Sequence, residues 1–254
     1  MLALQDKVAL ITGASSGIGA ATALRFARAG ARVLLTGRRQ AALTALVQAI
    51  RAGGGEAIAV AGDIRDEALA RQLVEVAVGE YGGLDIAFNN AGSTGSACAL
   101  PELALADWDE VLASNLGSAF LGAKYQLPAL LARGGGALLF TGSFVGHTAG
   151  LPGMAAYAAA KAGLVGMVQV LAAEYGAQGI RVNALLPGGT DTPMGRAATS
   201  APGAREFVEG LHALKRLAQP EEIAEAALFL ASPAASFITG SAMLVDGGVS
   251  ICRS

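Results

Sequence analysis

The sequence predicts an α/β fold, a single-domain, doubly wound parallel sheet of seven strands with helices on both faces, spanning residues 1–254. Three observations predict it. Short β-branched or apolar runs recur along the chain, and longer stretches of helical period separate them. The runs themselves lack polar alternation, as expected of strands covered on both faces. A chain of 254 residues admits one or two domains, and α/β folds of roughly 250 residues commonly form one.

Taken in order, the runs give strands at 7–12, 32–36, 57–61, 85–88, 137–141, 180–186 and 242–245. Helices are predicted at 17–29, 39–52, 66–80, 107–132, 155–177 and 220–231, with a short one at 203–213. Asp66 is the expected N-cap of the third helix, and the triplets Gly53-Gly54-Gly55 and Gly134-Gly135-Gly136 are turns where helices stop. In such sheets ligands lie beyond the carboxyl ends of the strands, so chemistry is expected just after each run.

Composition narrows the function. Hydrophobic residues make up 53% of the chain and charged ones 15%, enough apolar material for a large core and too little charge for a disordered chain. With 18 Lys+Arg against 20 Asp+Glu and no basic run, nucleic acid is not an expected partner. Cys98 and Cys252 have no C-x-x-C spacing, and with only His147 and His212 beside them no metal site is expected. The first residues lack a signal peptide's basic and apolar regions, and no stretch reaches ~18 uninterrupted apolar residues, so a cytoplasmic protein without a membrane segment is expected.

The first strand runs into Thr12-Gly13-Ala14-Ser15-Ser16-Gly17-Ile18-Gly19 and then a helix. Glycine lets the backbone turn sharply and approach a pyrophosphate, while free N–H groups and the positive end of the new helix face that anion. The spacing departs from G-x-G-x-x-G, and glycines also end strands for purely structural reasons. The position between strand and helix is what marks this loop as a phosphate cradle. After the second strand, Thr36-Gly37-Arg38-Arg39 offers two guanidiniums and no carboxylate, which favours the 2′-phosphate of NADP(H) over NAD(H). The plainer alternative makes both arginines solvated residues at a helix start. Asp63, with Ile64, can receive the adenine amino group and pack on its ring, or Asp63 is simply a loop residue.

Tyr157 and Lys161 lie four apart on a predicted helix and so share one face. Composition alone predicts about 0.06 such pairs in this chain, so the spacing carries information. A phenol titrating near 10 is mostly protonated at neutral pH, and an ammonium beside it favours the phenolate, which would let Tyr157 act as acid and base. Ser143 follows the fifth strand, where its hydroxyl can hydrogen-bond a reacting oxygen. Asn115 is polar within an apolar helical segment and is expected to have buried partners. Singly, each has a dull alternative as a turn residue, a core amide or a packed aromatic.

Together these pieces resemble the short-chain dehydrogenase/reductase family over nearly the whole chain. The resemblance rests on the glycine loop, Asn89-Asn90-Ala91-Gly92, Asn115, Ser143, Tyr157-x-x-x-Lys161, Pro187-Gly188 with Thr192, and Ile238-Thr239-Gly240 to Asp246-Gly247-Gly248. It implies a Rossmann-type fold and hydride transfer between a nicotinamide and a carbonyl or secondary alcohol. Tyr157 would exchange the proton, Lys161 would bind the nicotinamide ribose and depress the tyrosine pKa, Ser143 would orient the substrate oxygen, and Asn115 would hold a relay water. The cofactor would meet Gly13, Ser15, Ser16, Gly17, Ile18, Gly19, Arg38, Arg39, Asp63 and Ile64. Asn90, Ala91 and Gly92 would line its groove, and Pro187, Gly188, Thr190 and Thr192 would border the nicotinamide. Substrate loops are expected at about 93–100, 144–156 and 190–213, and a homotetramer pairing through the long helices 107–132 and 155–177.

Three features depart from the family pattern. Ser143 and Tyr157 are 14 apart, one more than is commonest, position 190 is Thr where Val or Ile is usual, and position 16 is Ser where many NADP-preferring relatives are basic. His147, in the lengthened loop, reads as pocket-lining or solvent-facing, since Tyr157 already supplies the acid/base group. The leading function is an NADP(H)-preferring carbonyl reductase or alcohol dehydrogenase, with NAD possible. The runner-up resembles 3-oxoacyl-carrier-protein reductase, for which only Lys124 and Arg133 offer basic contacts to an acidic carrier. A non-catalytic dinucleotide sensor is a third reading, opposed by the intact Ser143, Tyr157, Lys161 and Asn115.

Overall fold

Val8–Thr12 is buried at every position, with Ala9 and Ile11 facing one core and Val8 and Leu10 the other. This two-sided burial of a period-2 element is why the strand reads as an unbroken apolar run. The structure is a computed structural model and describes residues 2–252.

Seven strands form one parallel sheet: β1 (Val8–Thr12), β2 (Arg32–Gly37), β3 (Glu56–Ala61), β4 (Ile86–Asn89), β5 (Gly136–Thr141), β6 (Ile180–Pro187) and β7 (Ala242–Val245). Their order is β3-β2-β1-β4-β5-β6-β7. Helices α1 (Gly17–Arg28), α2 (Gln40–Ala52) and α9 (Pro220–Ala231) cover one face, where Phe26, Leu43 and Ile223 are buried. Helices α3 (Glu67–Tyr81), α5 (Ser118–Ala132) and α6 (Ala155–Tyr175) cover the other, with Leu73, Leu127 and Val168 in its core. Asp66 caps α3 as expected, its carboxylate accepting the Ala68 N–H at 2.8 Å. The strand order reverses between β1 and β4, and the crevice at that switch point opens at the strands' carboxyl ends.

Two elements differ from expectation. The predicted helix 107–132 is α4 (Leu105–Leu112), a π-helical turn at Ala113–Gly117, and then α5, all one continuous path. The π turn is where Asn115 sits. A short helix, α7 (Pro193–Ala198), precedes α8 (Ala204–Leu211). Thr192 caps α7 through its side chain and Pro193 fills the first turn, a start signal that the sequence carries.

The stretch Ala155–Gln178 is long and apolar enough to cross a bilayer, although no uninterrupted apolar run marks it in the sequence. It is a core helix. Leu164 and Val168 are buried in the second core, and Lys161 is buried beside the cavity described next.

Candidate active site

A cavity of about 1070 Å³ lies over the carboxyl ends of the strands. Side chains lock the strand tips that form its floor. Thr12 Oγ1 accepts the backbone N–H groups of Asn90 and Ala91 at 2.9 and 3.0 Å, and Asn90 Nδ2 donates to the Thr12 carbonyl at 3.1 Å. Thr141 Oγ1 donates to Asn90 Oδ1 at 3.0 Å, which ties β5 to the same point. Asn90 therefore fixes the floor with its side chain while Ala91 and Gly92 line the groove beside it.

The glycine loop forms one wall. Gly13 and Gly17 have φ of +66° and +56°, values that L side chains seldom adopt. Ser16, the N-cap of α1, makes no side-chain cap, so the first-turn N–H groups are free for an anion. Gly13, Ser15, Ser16, Gly17 and Ile18 line the cavity. Gly19 lies behind them, off the cavity lining. A Cβ there would strike the Gly13 carbonyl and come within 2.8 Å of Asn90 Nδ2, so its glycine serves close packing of α1 under the loop.

At the far end of β2 and β3, Arg38, Arg39, Asp63, Ile64 and Arg65 line the cavity. Arg39 Nη2 donates to the Ser15 carbonyl at 3.1 Å and to Ser15 Oγ at 3.3 Å, so it is anchored to the glycine loop rather than loose in solvent. Arg38 is exposed. Asp63 accepts from Arg65 Nη2 at 2.6 Å and Nε at 3.1 Å, and these bonds hold its pKa at about 2. The carboxylate faces this end fully ionised, with Arg65 as a neighbour that sequence reading did not single out.

At the other end Gly92, Asn115, Ser143, Tyr157 and Lys161 converge. A Cβ on Gly92 would overlap Asn115 Oδ1 and lie 3.4 Å from Lys161 Nζ. Asn115 Nδ2 donates to the carbonyls of Ser93 and Val111, both at 2.8 Å, while its Oδ1 is buried with no partner. Such an orphaned acceptor normally marks a bound group, since leaving it unpaired costs about 1–3 kcal/mol. Lys161, 4% exposed, donates to the Thr141 carbonyl at 2.7 Å, and its Nζ lies 5.5 Å from the centre of the Tyr157 ring. Ser143 Oγ accepts the Val145 N–H at 3.1 Å, which holds its hydroxyl toward the cavity floor.

Burial dominates the electrostatics here. Burial pulls the Lys161 pKa from 10.5 down to about 8. Burial also pushes the Tyr157 phenol above its ordinary value, against a smaller opposite pull from the Ser143 hydroxyl. The sequence reading named the ammonium's effect and left burial out. In the protein alone desolvation wins, and Tyr157 stands as a protonated donor.

Residues 13–250 match the family described as enoyl-(acyl carrier protein) reductase. The cyclohexanol dehydrogenase of Acinetobacter sp. (strain SE19) is 41% identical over 242 residues, covering 95% of this chain and 94% of that protein. A short-chain type dehydrogenase/reductase from Mycobacterium marinum superposes with a TM-score of 0.93 at 34% identity, covering 99% of this chain and 98% of its own. The chain is a short-chain dehydrogenase/reductase. A further family structure, from Beutenbergia cavernae and provisionally named an NAD(P)-dependent gluconate 5-dehydrogenase, holds NADP at low occupancy. It has a TM-score of 0.91 at 35% identity and covers 98% of both chains. The enzyme is accordingly an NAD(P)-dependent oxidoreductase acting on a carbonyl or alcohol.

In this oxidoreductase the remaining expected residues sit as follows. Pro187, Gly188, Thr190 and Thr192 line the cavity. The Thr190 hydroxyl donates to the Gly188 carbonyl at 3.0 Å, and Thr192 Oγ1 accepts the Gly195 N–H at 3.0 Å, so both hydroxyls shape the loop. His147 is exposed and off the cavity wall. After Ser143 the chain turns, with the Phe144 carbonyl accepting the N–H groups of His147 and Thr148 at 3.1 and 2.9 Å.

His212 was read only as a poor metal ligand. It is 1% exposed and lines the cavity, with Nε2 accepting the Gly189 N–H at 2.9 Å and Nδ1 against the Val208 carbonyl at 2.8 Å. These two bonds require a neutral ring protonated on Nδ1. They join the end of α8 to the loop after β6. A lone histidine on a helix end gives no sequence signal for such a bridge.

Proposed function

We propose that this enzyme is an NADP(H)-preferring carbonyl reductase or secondary-alcohol dehydrogenase, working as one domain over residues 1–254. The observation that carries the reading is the meeting of Asn115 Oδ1, Lys161 Nζ and the Gly92 backbone beside Tyr157 and Ser143, where a side chain on residue 92 would fill the space. The residues fit a dinucleotide: glycines and uncapped N–H groups for the pyrophosphate, Arg38 and Arg39 for a 2′-phosphate, and Asp63 and Ile64 for the adenine.

When bound, the nicotinamide supplies or accepts a hydride. Ser143 donates to the substrate oxygen, and Tyr157, a protonated phenol in the free enzyme, gives that oxygen its proton during reduction. Lys161 then acts on two groups. It holds a ribose hydroxyl, and its charge stabilises the phenolate left behind. Asn115 orders the water that returns a proton from solvent toward Lys161 and Tyr157.

The acyl-carrier alternative is weakened by charge. Lys124 is bound to Glu67 at 2.6 Å and Arg133 to Asp85 at 3.2 Å, while the exposed carboxylates of Asp107 and Glu110 face the cavity and would repel an acidic carrier. A homotetramer pairing through α4–α5 and α6 is supported by the exposed Phe120 and Val170 on those helices. Cytoplasmic residence accords with the free thiols Cys98 and Cys252. The test is kinetic: replacing Arg38 and Arg39 together by Ala should raise KM for NADPH about 10-fold or more while changing KM for NADH little. Equal weakening of both defeats the cofactor assignment.

A further inference from the structure

The loops around Ser143 and Tyr157 are chemically one-sided. From residues 144–156, Val145, Leu151 and Met154 line the cavity, and from α7 and α8 come Met194, Phe207 and Leu211. Neither segment turns a carboxylate, Lys or Arg into the cavity, although α7 and α8 carry several. Arg196 and Arg205 are both paired with Asp191, at 2.8 and 3.3 Å, and Arg205 Nε also reaches Glu209 at 2.9 Å. α8 is therefore sorted by face, with charge turned outward and Phe207, Val208 and Leu211 turned inward.

Two of these inward residues are incompletely covered. Phe207 is 66% exposed and Met194 43% exposed, yet both border the cavity. Large apolar side chains left open at the rim of a catalytic cavity gain by being covered with apolar substrate surface. The apolar lining comes from two separate segments, which suits a carbon substituent on each side of a carbonyl. A hydroxylated or ionised substituent against these side chains would lose its hydration without gaining a partner from them, the exposed carboxylates of Asp107 and Glu110 lying on α4.

We infer that the substrate is a compact, neutral, apolar ketone or the matching secondary alcohol, and that Phe207 and Met194 determine this specificity by closing over its hydrocarbon frame. The inference rests on the carbonyl-reductase reading above. In reduction the carbonyl carbon gains a hydride from the nicotinamide, the carbonyl oxygen takes the Tyr157 proton, and solvent reprotonates the phenolate, giving a secondary alcohol and oxidised cofactor.

The test is steady-state kinetics of the full chain with NADPH on cyclohexanone, a polyhydroxy ketone and a 3-oxoacyl thioester. Cyclohexanone should exceed the polyhydroxy ketone in kcat/KM by about 100-fold or more, and exceed the thioester as well. Phe207→Ser should raise KM for cyclohexanone about 10-fold and shrink that ratio, with circular dichroism and NADPH binding reporting that the chain is folded. Met194→Lys should reduce the preference in the same direction. A preference for the polyhydroxy ketone or the thioester, or an unchanged ratio in both variants, overturns the inference while leaving the carbonyl-reductase reading intact. Absence of turnover on every ketone overturns both.

Discussion

Replacing Lys161 by Met separates what this residue does for catalysis from what it does to stability. An ammonium that titrates at 10.5 in an unfolded chain is held at about 8 by burial beneath the cavity. A drop of that size corresponds to about 3 kcal/mol. Below about pH 8 both folded and unfolded chains carry the charge, and the folded chain bears the whole penalty. Between about pH 8 and 10.5 only the unfolded chain keeps the proton, so the stability of the native protein climbs with pH. Above that range the penalty is gone. The Met variant has no such group. Urea denaturation of the cofactor-free protein from pH 7 to 10.5 should therefore show the native chain gaining about 3 kcal/mol relative to Lys161→Met. The exchange also leaves the Thr141 carbonyl without its 2.7 Å partner, worth about 1–3 kcal/mol at every pH, so the slope and not the offset is diagnostic. Turnover should be lost in the variant. Parallel stability curves for the two proteins would refute the placement of a buried, desolvated ammonium.

Tyr157→Phe keeps the packed ring and removes the proton, and should cut kcat by about 100-fold or more while leaving NADPH affinity within about twofold. A loss of less than tenfold removes Tyr157 from the acid/base role. His212→Phe leaves the Gly189 N–H buried and unpaired, costing about 1–3 kcal/mol in the observed docking of α8 on the loop after β6. It should raise substrate KM more than it lowers kcat and speed tryptic cleavage at the exposed Arg196 and the half-buried Arg205 in the NADPH complex. His212→Gln, which can still accept the Gly189 N–H, should recover most of both losses. A lowered melting temperature with unchanged KM and cleavage rate would reduce His212 to a packing residue.

Much of this architecture can be read from the chain because burial on both sides writes each strand as a continuous apolar run. β1 and β6 differ from the predicted spans by a single residue at one end, and β7 by none. The candidate reacting groups were legible for a different reason: Tyr157 and Lys161 keep helical spacing, and Ser143 follows one residue after a strand. What escaped was tertiary. Asn115 drew notice as a polar residue in an apolar stretch, but nothing in the local pattern marks the π turn that carries it. The burial that raises the Tyr157 pKa depends on walls from distant segments, which spacing does not encode. Arg65 lies two residues past Asp63, and only the folded loop reveals that it grips that carboxylate.

The surplus residue at Ala113–Gly117 makes the path from α4 to α5 behave like a gear with a fixed tooth count. Each α-helical residue advances the azimuth by about 100°, so straightening that turn to α geometry with the residue kept would swing every later side chain round the axis by that amount. Ala119, Ala123, Leu127 and Leu130 would rotate off the inner core together, and Phe120 would turn away from solvent. The wide turn thus absorbs the surplus residue, and any homologue that straightened it at the same length would have to rewrite the whole downstream stripe at once.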